Sequence, residues 1–467
     1  MSYPMFTAFP RRHPLAAGVA ALCALAAPSA FATTFVTNCN DAGAGSLRAA
    51  VAGAANNDTV DASGLAGVCS KITLKTGAIP IGVGNLTIVG PGAKLLNVTA
   101  LYDNGAGVTH QYQNRIFTHA GTGTLTLRNV ELSNGVATDA AEPRGGCVRS
   151  HGSVVLDHAD IYACEAKTTG YYAQGGGVYA NNVTANYSTI RDNRTDGGTS
   201  AASNGGGVLA ANTFVSHYSS FVHNISSNTA GSGGIGAGVR AMGGVTIRNS
   251  TFSGNIAGSS YAALSAENPG STTLIANSTI SGNIATNGTV GGIYSTAAHT
   301  KIYSSTIAFN TAKSGTFGVG VKLYTGGGGD VKLESNIIAA NTYGSSAIDN
   351  DFNAQTTTLT GHNNFIRVSV TSLPPDTIAG KCPLLAPLAD NGGLTQTHRP
   401  YGHSPVIDVG NDAFAASNDQ RGSAAVNGVR NFARVSGPPG GAAVADIGAY
   451  EIDQSDEVFE AAFEGCP

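Results

Sequence analysis

Apolar and polar residues follow one pattern that recurs eight times between residues 132 and 338. In most copies a small residue lies two positions before a central apolar residue, and an asparagine lies three positions after it. The eight central residues, called anchors below, are Leu132, Ile161, Ile190, Phe221, Phe252, Ile280, Ile307 and Ile338. They are 27 to 31 residues apart, a period that indicates a solenoid whose coils bury their apolar faces against their neighbours.

Alternating apolar residues before each anchor predict a short strand in every coil. Examples are the pairs Leu125/Leu127, Val154/Leu156, Val183/Ala185 and Val245/Ile247. The small residues Ala159, Ser188, Ser219, Ser250, Ser278 and Ser305 suit a tight corner. Because asparagine tolerates left-handed backbone and its amide bonds to the next copy, a stacked ladder is expected at Asn193, Asn224, Asn255, Asn283, Asn310 and Asn341.

The repeat favours an all-β fold, a right-handed single-stranded parallel β-helix with three short strands per coil. Helical repeats do not carry glycine triplets such as those at 175–177 and 205–207. Leucine-rich horseshoes and propellers have other periods and signatures. The right-handed sense is expected because crossovers between parallel strands are almost always right-handed. A β-sandwich with coincidental similarity is the alternative interpretation.

The chain divides into five segments in this interpretation. Residues 1–32 resemble a signal peptide, with Arg11 and Arg12 before an apolar stretch and a small-x-small cleavage site at residues 30–32. Residues 33–70 form an N-terminal cap, including a helix with Ser46 at its N-cap. The β-helix follows at 71–344, an irregular connection at 345–381, and a compact C-terminal module with its tail at 382–467.

Six cysteines remain after the signal peptide, and an even number in an exported chain predicts disulfides. Cys39–Cys69 is favoured by proximity, and Cys147–Cys164 lies within one coil, with Cys164 where other coils have asparagine. Cys382–Cys466 is then the remaining pair. The competing interpretation is a metal site, but no CxxC or Cys/His spacing supports it.

Charge is sparse, with a formal net charge of −4, no tryptophan and no basic stripe, so nucleic acid is not an expected partner. No segment after the signal has 18 consecutive apolar residues, so no transmembrane helix is expected. Extracellular surfaces rich in glycine and hydroxyl side chains most often bind sugars or other proteins, or have no binding partner. The expected protein is a monomer.

Both ends of the chain resemble a known family. GSLRAAV at 45–51 and CSKITL at 69–74 resemble the CSLREA-like start of exported bacterial β-helix proteins. The run from Pro383 to Asn411, DQRG at 419–422 and ADIGAYE at 445–451 resemble choice-of-anchor Q domain proteins. The resemblance implies an exported, surface-associated β-helix, extracellular or on the outer surface of a Gram-negative bacterium. The family supplies no agreed reaction.

Ionisable residues of the array concentrate in its first coils. Glu131 and Asp160 precede successive anchors by one position, and Asp192 and His223 follow successive anchors by two. Neighbouring coils are about 4.8 Å apart, so each pair forms a candidate acid–base or carboxylate site, and Ca²⁺ is a possible ligand of the first pair. A row of solvated charges with no catalytic or metal-binding role explains the same spacing. Arg128 and Asp157, which have opposite charges on adjacent coils, are an example.

Two tyrosines and a set of C-terminal residues complete the candidates. Tyr187 and Tyr218 lie three positions before successive anchors, where they would stack a sugar ring or shield the wall from water. In the C-terminal module, salt bridges and turn caps explain the charged residues better than a metal does. These residues are Asp408, Asp419, Arg421, Asp446 and Glu451.

Two functional hypotheses follow. The first is a non-enzymatic, adhesin-like scaffold that binds glycans or proteins and needs no cofactor. The second is a carbohydrate-active enzyme of the pectin-lyase type, a polysaccharide lyase or hydrolase. The nearly constant steps of 27–31 residues leave little room for long loops that would enclose a substrate, and this favours the scaffold.

Overall fold

The computed structural model describes residues 1, 31–103, 109–111, 114–138, 143–170, 172–198, 202–228, 233–314, 318–326, 328–356, 358–412, 418–422, 432–434 and 444–452. From Ala32 onward the chain forms one compact unit. It is an all-β solenoid of parallel sheets, which confirms the predicted parallel β-helix. Its right-handed sense stays a prediction, and the predicted signal peptide lies almost entirely outside the described residues.

Four parallel sheets, called walls 1 to 4, run along the solenoid. Wall 1 comprises Thr33–Phe35, Asp58–Asp61, Leu86–Val89, Thr124–Arg128, Ser153–Asp157, Asn182–Asn186, Phe214–His217, Val245–Arg248, Thr272–Ala276, His299–Tyr303, Asp330–Glu334 and Thr358–His362. Wall 2 comprises Lys71–Thr73, Asn97–Thr99, Glu131–Ser133, Asp160–Tyr162, Thr189–Arg191, Ser220–Val222, Thr251–Ser253, Thr279–Ser281, Thr306–Ala308, Ile337–Ala339 and Phe365–Ile366.

The return path of each coil runs through walls 3 and 4. Wall 3 comprises Val136–Ala137, Glu165–Lys167, Arg194–Asp196, Ile225–Ser227, Ile256–Ala257, Ile284–Ala285, Thr311–Ala312, Thr342–Tyr343 and the antiparallel Ile348–Asp349. Wall 4 comprises Ile79–Ile81, Phe117–His119, Val148–Ser150, Val178–Ala180, Val208–Ala210, Val239–Ala241, Leu264–Ala266, Ile293–Ser295, Val321–Tyr324 and Phe352–Gln355.

The prediction of three strands per coil was wrong, because most coils contain four. A sharp corner at the ladder asparagine separates wall 2 from wall 3. Three coils add a fifth strand, forming a small side sheet of Tyr172–Gln174, Ala202–Asn204 and Gly234–Ile235. Small side chains such as Ala166 and Ala173 pack between wall 3 and the side sheet, which allows the two layers to approach closely.

The eight anchors form one continuous internal column, as predicted. Wall 2 pairs them in sequence from Leu132 to Ile338, and all are buried. Phe221 and Phe252 stack with ring centroids 4.5 Å apart. The array also continues through Phe352–Gln355, Thr358–His362 and Phe365–Ile366, so a further coil lies inside the stretch expected to be irregular.

The predicted asparagine ladder is present and fully buried. Each amide donates to the side-chain oxygen of the next ladder residue at 2.8–3.0 Å, from Asn193 to Asn341 and finally Asp351. Burial raises the pKa of that terminal Asp351 to about 7. The expected left-handed backbone was misplaced by one position. The residue before each ladder position has the positive φ, as at Asp192 (54°), His223 (54°) and Gly254 (62°).

Both disulfides predicted near the N-terminus and in the first coils are present. Cys39 pairs with Cys69 and Cys147 with Cys164, with Cα atoms 6.5 and 5.5 Å apart. The Cys164 amide donates to Asn193 at 3.0 Å, so this disulfide continues the asparagine column. Cys382 is also disulfide-bonded, and Cys466, the partner expected for it, lies outside the described residues.

Two short helices accompany the first coils. The α-helix Leu47–Gly53 begins after Ser46, whose hydroxyl accepts the Ala49 amide at 3.2 Å as predicted for its N-cap. Its residues Leu47 and Val51 join the main apolar core, and its capping role stays a prediction. A 3₁₀ turn covers Ser63–Leu65, and a small antiparallel pair joins Leu101–Asp103 to Thr109–Gln111.

Candidate functional site

The described part of the C-terminal module, residues 382–412, 418–422, 432–434 and 444–452, lies against the second half of the outer face of wall 2. Residues of that wall and its corner that hydrogen-bond to it are Asn249, Thr251, Asn277, Thr279, Ser281, Thr306, Ser335 and Asn363. An apolar cluster of Ile337, Ala339, Phe365, Val406 and Ile447 completes the contact. The hydroxyls of these wall residues are therefore already hydrogen-bonded to the module.

Contacts within the module give its charged residues a structural role. Arg421 lies between the rings of Phe432 and Tyr450, with its Cζ 4.1 and 3.7 Å from their centroids. Its Nε and Nη2 donate to Asp419 Oδ2 at 2.9 and 2.7 Å, and Asp419 Oδ2 also accepts the Glu451 amide. These groups are buried, so they hold the module together rather than face a ligand.

Two further carboxyls of the module are buried beside that ion pair. Burial raises the pKa of Asp446 to about 6, and burial together with the nearby Asp446 raises the pKa of Glu451 to about 8. A Glu451 oxygen accepts the Asp446 amide at 3.0 Å, and Asp446 accepts the Asp408 amide at 2.8 Å. Both contacts lie within the module, as expected if its charged residues are structural.

The first half of the same outer face remains accessible. This open face consists of the outward residues of four successive strands, from Glu131–Ser133 to Ser220–Val222. Its partly exposed members are Tyr162, Thr189, Arg191, Ser220 and Val222. They flank the buried anchors because successive residues of a strand point to opposite faces.

Glu131 and Asp160 lie side by side on the open face, in register on adjacent coils as predicted. Both are nearly buried, with exposed fractions of 9% and 7%. Glu131 accepts the Tyr162 hydroxyl at 2.7 Å and the Lys94 amide at 2.9 Å. Asp160 Oδ2 accepts Arg191 Nη2 at 3.0 Å. The pair is thus a hydrogen-bonded network at the floor of the face.

The electrostatics of this network are set by partial burial. Burial raises the pKa of Asp160, and the Arg191 guanidinium opposes that shift. Burial and the hydrogen bond to Glu131 raise the pKa of Tyr162. The Arg191 guanidinium lies 4.0 Å from the Tyr162 ring centroid, within cation–π distance. Asp160 Oδ1 is buried and has no hydrogen-bond partner among the described residues.

Asp192 and His223 occupy the corner between walls 2 and 3. The His223 Nδ1 lies 3.9 Å from Asp192 Oδ1, so the structure places the two predicted residues together. Their side chains are 47% and 67% exposed, and Arg191 also reaches Asp192 at 3.2 Å. His223 lies across Gly254 of the next coil, where an added Cβ would be 2.4 Å from its ring. The pair is therefore a solvated surface contact.

An aromatic stack borders the opposite edge of the open face, at the corner between walls 1 and 2. His158 stacks on Tyr187 with centroids 4.8 Å apart, and Tyr187 stacks on Tyr218 at 5.2 Å with an interplanar angle of 3°. All three have positive φ, between 47° and 53°, which is uncommon for bulky residues. Tyr187 is 44% exposed, and Tyr218 lies beside Gly422 at the edge of the module.

Sequence reasoning found both tyrosines and both ionisable pairs but missed Tyr162, Arg191 and the stacking role of His158. Tyr162 and Arg191 lie one position after their anchors, and aligning that column would have placed them beside each other. Nothing in the sequence signalled that the module would cover half of wall 2. The position of the module on wall 2 depends on contacts between residues more than 100 positions apart in the chain, such as Thr279 and Gln420.

Comparison with known proteins finds no matching family model, no similar curated protein and no similar solved structure. Within the described ranges, no helix is long and apolar enough to cross a membrane. The same ranges contain no group of three or more His, Cys, Asp or Glu side chains placed to hold a metal ion. Calcium at Glu131 and Asp160 stays a prediction.

Proposed function

We propose that this protein is an exported, surface-associated β-helix that binds a glycan on the open face without cleaving it. The observation that carries the proposal is the continuous stack of His158, Tyr187 and Tyr218 beside a row of polar side chains. The two disulfides support export, because disulfides persist mainly in oxidising compartments. The resemblance of both chain ends to exported surface proteins points the same way.

The stack and the polar row offer complementary contacts to a sugar chain. The rings lie face to face on one another, so their edges form an apolar strip against which the C–H groups of a sugar chain pack. Thr189, Ser220 and Arg191 lie alongside and offer hydroxyl and guanidinium groups to sugar hydroxyls. Because the stacked rings repeat from coil to coil, they favour an extended ligand that runs along the solenoid axis.

The hydrogen bonds and the exposure of the ionisable groups support binding without catalysis. The Glu131 oxygens and Asp160 Oδ2 already accept hydrogen bonds from neighbouring residues. The side chains of Asp192 and His223 are 47% and 67% exposed, so bulk water reaches both. General acid–base catalysis depends on groups positioned against the reacting bond, and electrostatic stabilisation is strongest where water is excluded.

Tyr187→Ala combined with Tyr218→Ala is expected to weaken glycan binding by about tenfold or more, because each aromatic contact contributes roughly 0.5–1.5 kcal/mol. A glycan array identifies the bound sugar, and isothermal titration calorimetry compares the variants. Tyr172→Ala is the matched control, because Tyr172 is also 44% exposed but lies on the side sheet. Equal losses in the control, or no loss in the double variant, would contradict the proposal.

One observation favours the enzyme as a second candidate. Burial raises the pKa of Asp160, which lies in register with Glu131 on the adjacent coil, and two neighbouring carboxyl groups are typical of glycosidase sites. A polysaccharide panel assayed for unsaturated products and for new reducing ends is expected to show no turnover. Turnover that falls about 10²-fold in Asp160→Asn, or in the Asp192→Ala/His223→Ala double variant, would instead establish catalysis.

A further inference from the structure

The accessible part of the open face is only three coils long. Its partly exposed members belong to the coils of the anchors Ile161, Ile190 and Phe221. In the preceding coil the outward residue Ser133 is 0% exposed, and in the following coil the equivalent residue Ser253 is 6% exposed. Because neighbouring coils are about 4.8 Å apart, the first and third open coils are separated by about 10 Å.

Residues of the preceding coils close one end of the open face. The Asn97 side-chain amide donates to the Ser133 hydroxyl at 3.0 Å and to the Tyr162 hydroxyl at 2.9 Å. The backbone amide of Lys94, in the connection between walls 1 and 2, donates to Glu131 at 2.9 Å. A ligand that lies along the face therefore meets Asn97 and Lys94 at this end.

The C-terminal module closes the other end. Thr251 is in register with Ser220 on the next coil, and its hydroxyl accepts the Gln420 side-chain amide of the module at 2.8 Å. Gly422 lies so close to the last ring of the aromatic stack that an added Cβ would be 2.8 Å from Tyr218. The edge of the module therefore stands directly after the third open coil.

The column of residues three positions before the anchors changes character at the same boundary. In the three open coils it holds the stacked rings of His158, Tyr187 and Tyr218. In the next two coils it holds Asn249 and Asn277, whose amides donate to backbone carbonyls of the module at 3.0 Å. The chain thus places one ring beside each open coil, and polar groups that bind the module where the wall is covered.

We infer that the open face binds the end of a glycan chain, or a short oligosaccharide of about three sugar units, with the terminal unit against the module. The inference rests on the proposed glycan binding and specifies its ligand. One unit of an extended sugar chain is about as long as one coil is high, so each open coil and its ring serve one unit. An internal segment of a polymer would have to continue past Thr251, through space that the module fills.

The test measures how binding to the full chain depends on ligand length. Cello-, manno-, xylo- and chito-oligosaccharides, each from monomer to octamer, are compared with their parent polymers by isothermal titration calorimetry. In the series that binds, affinity is expected to rise to about the trimer and to change less than about twofold beyond it. A single protein molecule is expected to bind each polymer chain, whatever the length of the polymer.

The possible failures of this test are distinguishable. If affinity keeps rising toward the octamer, or if the number of bound protein molecules grows with polymer length, glycan binding stands and the inference is overturned. If no series binds, the inference and the proposed function are both contradicted.

A bulky residue in the third open coil tests where the ligand ends. Ser220→Trp is expected to weaken binding of the trimer about tenfold or more and to leave binding of the dimer within about twofold, because it fills the place of one sugar unit. The matched control is Thr246→Trp, at a partly exposed outward position of wall 1, which is expected to leave both affinities unchanged. Circular dichroism verifies folding. Unchanged binding of the trimer, or equal loss for trimer and dimer, would overturn the inference.

Loosening the module tests its part in setting the length. Arg421→Ala removes the buried ion pair with Asp419, and hydrogen exchange verifies that the module has opened. Polymer chains are then expected to pass beyond the third coil, so that more than one protein molecule binds each chain. If the module opens and each polymer chain still binds a single protein molecule, the module does not limit the length of the ligand.

Discussion

Replacing Asn255 by alanine is expected to lower the free energy of unfolding by about 3–5 kcal/mol, because several buried groups lose their partners at once. The Asn255 amide donates to Asn283 Oδ1 at 2.8 Å and to the Phe221 carbonyl at 2.9 Å. Its oxygen accepts the backbone and side-chain amides of Asn224, each at 3.0 Å. Alanine would leave these buried donors and acceptors without bonds and interrupt the ladder in the middle of the solenoid.

Urea unfolding followed by circular dichroism measures the effect as a shift of the midpoint. The matched control is Asn212→Ala, since Asn212 is exposed and its amide makes a surface hydrogen bond to Asn182 at 3.0 Å. That change is expected to cost within about 0.5 kcal/mol. If Asn255→Ala costs no more than the control, the buried ladder does not stabilise the coils in the way proposed.

Replacing Arg421 by alanine is expected to destabilise the C-terminal module by about 3–5 kcal/mol, because Asp419 would remain as a buried, unpaired carboxylate. The same change removes the packing of the guanidinium between Phe432 and Tyr450. It also removes the hydrogen bond from Nη2 to the Glu451 carbonyl at 2.6 Å. The module is therefore expected to open locally while the coils of the solenoid stay folded.

Amide hydrogen exchange distinguishes these two regions. Protection in peptides from residues 444–452 is expected to fall by about 10²- to 10⁴-fold, while peptides from the strand Thr272–Ala276 keep theirs. Arg128→Ala is the control, because Arg128 is half exposed and its ion pair with Asp157 is worth at most about 1 kcal/mol. Uniform loss of protection across the chain would mean that the module and the solenoid unfold as one unit.

The sequence predicted the candidate site in part. Because the period places equivalent residues on neighbouring coils, Glu131 with Asp160, Asp192 with His223, and Tyr187 with Tyr218 were correctly expected to be adjacent. It did not predict their environments. Glu131 and Asp160 are nearly buried under contacts from Tyr162, Lys94 and Arg191, whereas Asp192 and His223 are solvated. Exposure depends on which loops and side chains cover a column, and the repeat carries no signal for that.

The sequence by itself determined the architecture of this protein, since a period of 27–31 residues stacks like residues on like. The anchor column, the asparagine ladder and the disulfides Cys39–Cys69 and Cys147–Cys164 all follow from that stacking and from short separations along the chain. The tertiary structure alone decided how most coils bend into four walls and which half of wall 2 the module covers. Those outcomes depend on backbone angles at corners and on contacts between distant segments. Local patterns do not specify either one.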